Sequence, residues 1–174
     1  MRWGTGSQRF SRPIRWLLAL KGVDLIPVEI PGADPPVRSD RFSRGHRLHG
    51  DQPLPIDTAD AYDDTLAAAG VIVDRKQRAA LIRSQLDASA DQLNGLPDCP
   101  ESLFEELVDL VESPRLLQGS IAERVLSLPP EVIITVMQAH QRYVPLKVPE
   151  VTPDPLQLEA TGVLQRDFLL VGNG

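Results

Sequence analysis

RYVPLKV at 142–148 and RDFLLV at 166–171 are the two stretches that decide the fold class. Both are short apolar runs rich in strand-forming residues. The segment between them carries Pro149, Pro153 and Pro155, a connector composition. They read as a closing antiparallel pair, 142–148 with 164–171. Upstream the spacing turns helical. Behind Pro129-Pro130, Val132, Ile133, Val136, Met137 and His140 form one stripe, and across 101–112 Leu103, Leu107, Leu110 and Val111 recur beside Phe104 and Val108. Pro114 stops that run.

Asp74 stands where a longer helix needs its N-cap, with Gln77 at the capping-box position. Ile82, Leu86 and Leu93 keep one face of it, with Ala79 and Ala90 between. Asp57 caps a helix that runs to Ala69 and stops at Gly70, and VIV at 71–73 reads as a short strand. At the beginning, Ser11-Arg12-Pro13 opens a predicted helix over IRWLLAL, ended by Gly22, with Trp16 in its core face. VDLIPVEI at 23–30 reads as a strand of the same antiparallel sheet, at its edge because of Pro27. Helices and strands mix irregularly, so the predicted class is α+β: a mostly antiparallel sheet packed with several helices, in a single domain. Leu17, Leu20, Ile72, Ile82, Leu86, Leu107, Val111, Ile133 and Val136 are the predicted core.

Composition fits a globular chain, with 42% hydrophobic and 24% charged residues over 174 positions. The lone Cys99 has no internal disulfide partner, which suits a reducing compartment. No apolar run reaches the ~20 residues that span a bilayer, and MRWGTGSQRF is no secretory leader. The formal charge of -6 is split: residues 1–49 carry +5 and residues 50–174 carry -11. A basic first part hints at a nucleic-acid partner. There is no phosphate-binding glycine loop, dinucleotide fingerprint or nucleophile elbow. Three histidines and one cysteine are too few for structural zinc. Glu101, Glu105, Glu106, Asp109 and Glu112 read as a solvated helix face. No catalytic residue and no metal ligand is assigned.

Four blocks, in order, carry a resemblance. MRWG at 1–4 is followed by RFSRPIRWLLAL at 9–20; SRGHR stands at 43–47; VIVDRKQR at 71–78; LVESP at 110–114 precedes VLSLPPEVIITVMQAHQRY at 125–143. Together with the closing FLLVGNG they resemble the β subunit of the bacterial two-subunit glycyl-tRNA synthetase. Leu48 and Ser113 stand where that family often has aromatic residues.

The resemblance implies a place within an enzyme. The family's enzyme is a heterotetramer of two α and two β subunits. The α subunit uses ATP and Mg to activate glycine, and the β subunit contributes recognition of tRNA(Gly). The chain would then be cytoplasmic and free of membranes, with no cofactor of its own. Residues 1–148 would be an editing-like, tRNA-binding module, and 149–174 a loop and closing strand leading toward a helical body. No editing residues match. For tRNA the candidate contacts are Arg2, Arg9, Arg12, Arg41, Arg44, His46, Arg47 and Tyr143. Arginines supply phosphate contacts, and Tyr143, His46 or Trp3 supply rings that stack on exposed bases. Gly45 is expected to permit a backbone turn within SRGHR. Arg12 and Arg15 pairing with carboxylates, a hydrolytic role for His46 or His140, and a scaffold role toward the α subunit or the rest of the β subunit are the alternatives.

Overall fold

The computed structural model describes residues 14–30, 35–149 and 164–174. The chain is α+β, and it divides into two compact units, Met1–Val73 and Asp74–Gly174.

The first unit is built from very short strands: β1 (Leu17–Leu18), β2 (Leu20–Lys21), β3 (Asp24–Leu25), β4 (Glu29–Ile30), β5 (Val37–Asp40), β6 (Phe42–Arg44) and β7 (Pro53–Pro55). β5 lies between β1, which is parallel to it, and β4, which is antiparallel. β2 pairs antiparallel with β3, and β6 with β7. The predicted helix over IRWLLAL is therefore corrected: no helix forms, and within it only Leu17–Leu18 and Leu20 lie in strands. Eight residues between Pro13 and Gly22 are too few to hold a helix without a packed face, and Leu17 instead pairs with Ser39. The single strand expected at 23–30 is corrected too: Ile26–Val28 interrupts it, and its pieces join sheets other than that of the closing pair.

The first unit ends on a 3-10 turn at Ala59–Ala61 and on α1 (Tyr62–Ala68). Thr58, rather than Asp57, caps that turn, accepting the Ala61 N–H at 3.2 Å. Gly70, at φ +78°, stops the helix as its sequence position suggests. Residues 71–73 form no strand, and Ile72 is half-buried rather than core. The interior of this unit is small, with Ile56, Leu66, Ser43 and His46 buried.

The second unit follows its sequence pattern closely. α2 (Arg75–Gln92) starts at Asp74, whose carboxylate accepts the N–H groups of Lys76 and Gln77. It buries Ile82, Leu86 and Ala90 at four-residue spacing. β8 (Leu96–Pro97) leads into α3 (Glu101–Leu110), which buries Leu103, Phe104, Leu107 and Val108. β9 (Pro114–Ser120) follows, then α4 (Pro130–Val136), then β10 (Tyr143–Lys147) and β11 (Leu164–Asn173). The sheet order is β8-β10-β11-β9, antiparallel throughout. The predicted closing pair is its centre. β9 is the addition: it pairs with β11 from Asp167↔Ser120 to Asn173↔Pro114.

Strand alternation gives this sheet two covered faces. Val144, Leu146 and Leu169 join Ile82, Leu86, Leu107 and Val108 in one apolar cluster. Tyr143 and Phe168 join Ile121, Ile133 and Met137 in another. Of the predicted core, Ile82, Leu86, Leu107, Val111 and Ile133 are buried. Leu17 and Leu20 are half-buried, and Val136 is 45% exposed. Val136 points outward because the buried stripe runs through Pro130, Ile133 and Met137, at ordinary helical spacing, ahead of the π turn Met137–Gln141.

The acidic face of α3 is more than solvated. Arg75 of α2 is clasped by Asp109 (Nε to Oδ1, 2.8 Å) and Glu105, and Arg142 bonds Glu106. The Arg75 hydrogen bond holds the Asp109 carboxyl below the usual range. These pairs are exposed, so each adds little to stability.

Candidate nucleic-acid interface

The basic first part of the chain contributes a groove of about 470 Å³ in the first unit, bordered by Arg15, Trp16, Arg38, Asp40, Phe42 and Arg44. Short strands create it. Parallel pairing of β1 with β5 brings residues 15–18 beside 37–40, and β6 follows directly from β5. Trp16 is 41% exposed and Phe42 40% exposed, so both present ring surface to solvent. The expectation that Trp16 belongs to the core is corrected: no helix forms over IRWLLAL, and the indole, just before β1, lines the groove. The guanidinium carbons of Arg44 and Arg15 lie 5.6 and 5.9 Å from its ring centroid, within cation–π range.

The arginines are anchored to different degrees. Arg38 Nε donates to Glu29 Oε2 at 2.8 Å, an exposed pair. Arg44 Nη1 donates to Asp51 Oδ1 at 2.7 Å and to the Asp51 carbonyl. Arg41 braces backbone instead, donating to the carbonyls of Val23 (3.1 Å) and Asp57 (3.3 Å). Arg47 is exposed on the 3-10 turn Arg47–His49. Asp40 brings one carboxylate to the groove, and its Oδ1 accepts the Arg41 N–H at 2.7 Å.

Of the remaining sequence candidates, Arg2, Arg9, Arg12 and Trp3 lie outside the described residues. His46 is fully buried. Its backbone N–H bonds the Ala69 carbonyl at 2.8 Å, and its Nδ1 accepts the Leu48 N–H at 3.4 Å. Its Nε2 has no partner among the described residues. Gly45 serves close packing rather than a turn: a Cβ there would sit 2.6 Å from Ala69 Cβ and 2.9 Å from its carbonyl oxygen. Tyr143 belongs to the second unit and stacks on Phe168, ring centroids 4.8 Å apart. The structure thus gathers Arg44 with Arg15, Arg38, Trp16 and Phe42, and it keeps His46 inside. Phe42 is the wall residue that sequence reasoning missed, although it flanks the arginines of 38–47. Among the described residues, no group of three or more His, Cys, Asp or Glu could hold a metal ion, and no helix is long and apolar enough to cross a membrane.

A family model described as the glycyl-tRNA synthetase beta subunit matches residues 1–174. This chain belongs to the glycyl-tRNA synthetase β-subunit family. It is 44% identical over 147 residues to the glycine–tRNA ligase beta subunit of Gloeothece citriformis, covering 84% of this chain and 20% of that protein. It is 37% identical over 176 residues to that of Synechocystis sp., covering 100% and 24%. With the Psychromonas ingrahamii subunit it shares 41% over 174 residues, covering 99% and 23%. The chain thus spans 20–24% of the length of these β-subunit relatives. The family match spans both compact units.

Proposed function

We propose that this chain works within the β subunit of a glycine–tRNA ligase and contributes tRNA binding to the attachment of glycine to tRNA(Gly). The observation that carries this reading is the groove of the first unit. In a family whose relatives are named for a tRNA ligase, it places Arg15, Arg38 and Arg44 around an exposed indole. Guanidinium groups bind phosphate by charge and by planar donor geometry. The partner is then the α subunit, in a tetramer of two α and two β chains in the cytoplasm. ATP and Mg act at the α subunit, and this chain does no adenylate chemistry.

The test is the double variant Arg15→Ala/Arg38→Ala in the assembled enzyme, with tRNA(Gly) binding followed across a salt series. Binding should weaken, and the log–log salt slope should become shallower by about 0.7–0.9 for each phosphate no longer neutralised. Unchanged affinity and slope, at an unchanged melting temperature, would remove the groove from tRNA binding.

One observation favours scaffolding as a second role. On the second unit an apolar groove of about 290 Å³ is lined by Ile121, Val125, Leu128, Val132, Val136 and Phe168. Leu128, Val132 and Val136 are each close to half exposed, which suits contact with another part of the enzyme. Hydrolysis by His46 is disfavoured, because its ring is sealed from water.

A further inference from the structure

We infer that the groove of the first unit takes one unpaired nucleotide of RNA, its base stacked on Trp16 and its phosphate held by Arg15 and Arg38. The inference rests on the tRNA-binding reading and deepens it.

Three features separate this groove from a general basic surface. The first is aromatic. Trp16 and Phe42 line the same groove, each about two-fifths exposed. Large rings left open at a basic groove are otherwise an unfavourable use of surface, and a base is a ligand that covers such a ring without needing hydrogen bonds from it. A paired base offers its face only at a helix end, so ring stacking selects for unpaired nucleotides.

The second feature is charge. Among the described lining residues, Arg15, Arg38 and Arg44 stand with one carboxylate, Asp40. Arg44 is committed to Asp51, at 2.7 Å with its side chain only one-third exposed, and serves chiefly to hold the wall beside Trp16. Arg38 is held only by an exposed pair with Glu29, its own side chain 74% exposed. Such a pair is weak and screened by solvent, so a phosphate readily competes for that guanidinium. Arg15 is exposed beside the indole. Two available guanidinium groups match the phosphate of one nucleotide rather than a long backbone track.

The third feature is Asp40 itself. A carboxylate in the lining repels a second strand of phosphates, yet accepts from the edge of a base. Together with a volume of about 470 Å³, this favours one inserted nucleotide over a duplex laid across the surface.

The experiment uses the assembled enzyme and three probes: a tRNA(Gly) transcript, a fluorescein-labelled single-stranded RNA octamer of mixed sequence, and that octamer annealed to its complement. The parent enzyme should bind the single strand more tightly than the duplex. Trp16→Leu should weaken single-strand binding by about 5- to 150-fold, the range that one base–aromatic stack spans, and Trp16→Phe should retain most of it. Melting temperature checks that each variant is folded, and Trp16→Phe keeps the test decisive if Trp16→Leu is not. Equal binding of single strand and duplex, or full single-strand affinity in a folded Trp16→Leu enzyme, would overturn the inference. If Arg15→Ala/Arg38→Ala still weakens tRNA binding in that case, the tRNA-binding reading survives without the stack. If neither variant alters tRNA binding, both fall.

Discussion

Arg44 donates from Nη1 to Asp51 Oδ1 at 2.7 Å and to the Asp51 carbonyl, tying β6 to the turn that leads into β7. The SRGHR block therefore commits one arginine to its own hairpin while Arg47, three residues on, stands exposed. Motif arginines that look equivalent in sequence have different work in the fold.

Arg44→Ala should accordingly lower stability, whereas Arg47→Ala should change it by less than about 0.5 kcal/mol. A double-mutant cycle of Arg44→Ala with Asp51→Ala, read by urea denaturation, should return a coupling of about 0.2–1 kcal/mol, as for other solvent-facing pairs. Equal stability of the Arg44 and Arg47 variants would contradict the assignment.

Gly45→Ala should destabilise the chain by about 1–3 kcal/mol, the range for overpacking. The added methyl would meet Ala69 at 2.6 Å, and it would strain the bond from the His46 N–H to the Ala69 carbonyl. Thermal melting of Gly45→Ala beside the compensating pair Gly45→Ala/Ala69→Gly checks this. The pair should recover part of the loss, and no recovery would place the strain elsewhere.

In α3, Leu107 is 2% exposed and Leu110 is 59% exposed. Leu107→Ala should cost about 2–5 kcal/mol by emptying the cluster around Val108 and Leu146. Leu110→Ala should stay within about 0.5 kcal/mol. Chemical denaturation of the two variants reads the difference directly, and similar losses would show that the helical phase is wrong.

Burial pushes the Cys99 thiol up to about 11 from an ordinary value of 9.0. The thiolate is the reactive form, and its nucleophilicity rises with pKa, so alkylation by iodoacetamide at pH 8 should run about tenfold slower in the folded chain than in urea. The sign is fixed by linkage: between pH 9 and 11 the unfolded thiol loses its proton first, so stability falls as pH rises through that window. Folded-state alkylation as fast as unfolded would mean that Cys99 is open to solvent.

Much of the second unit is legible in the sequence because its signals are local. Asp74 caps α2 through bonds within three residues, and Ile82, Leu86 and Ala90 repeat at the helical period. β10 and β11 announce themselves by composition. β9 does not: PRLLQGS has only two large apolar residues, and β11 makes it a strand by supplying hydrogen bonds along its length. The candidate groove is less legible still. Its arginines are visible as charge, but its aromatic wall is not, because the local pattern around Trp16 favours a helix.

By itself, then, the order of residues determined the family, the α+β class, the long helices of the second unit and the central strand pair. Each of these rests on interactions within a few positions or on recognisable blocks. Tertiary structure alone decided that IRWLLAL holds two short strands rather than a helix, that Trp16 faces solvent, that His46 is interior and that Gly45 is a packing point. The reason is range. β1 exists because Leu17 meets Ser39, twenty-two positions away, and Gly45 is confined by Ala69, twenty-four positions away. A two-residue strand has too few residues to show a period, so its partner, rather than its own sequence, sets its conformation and the direction of its side chains.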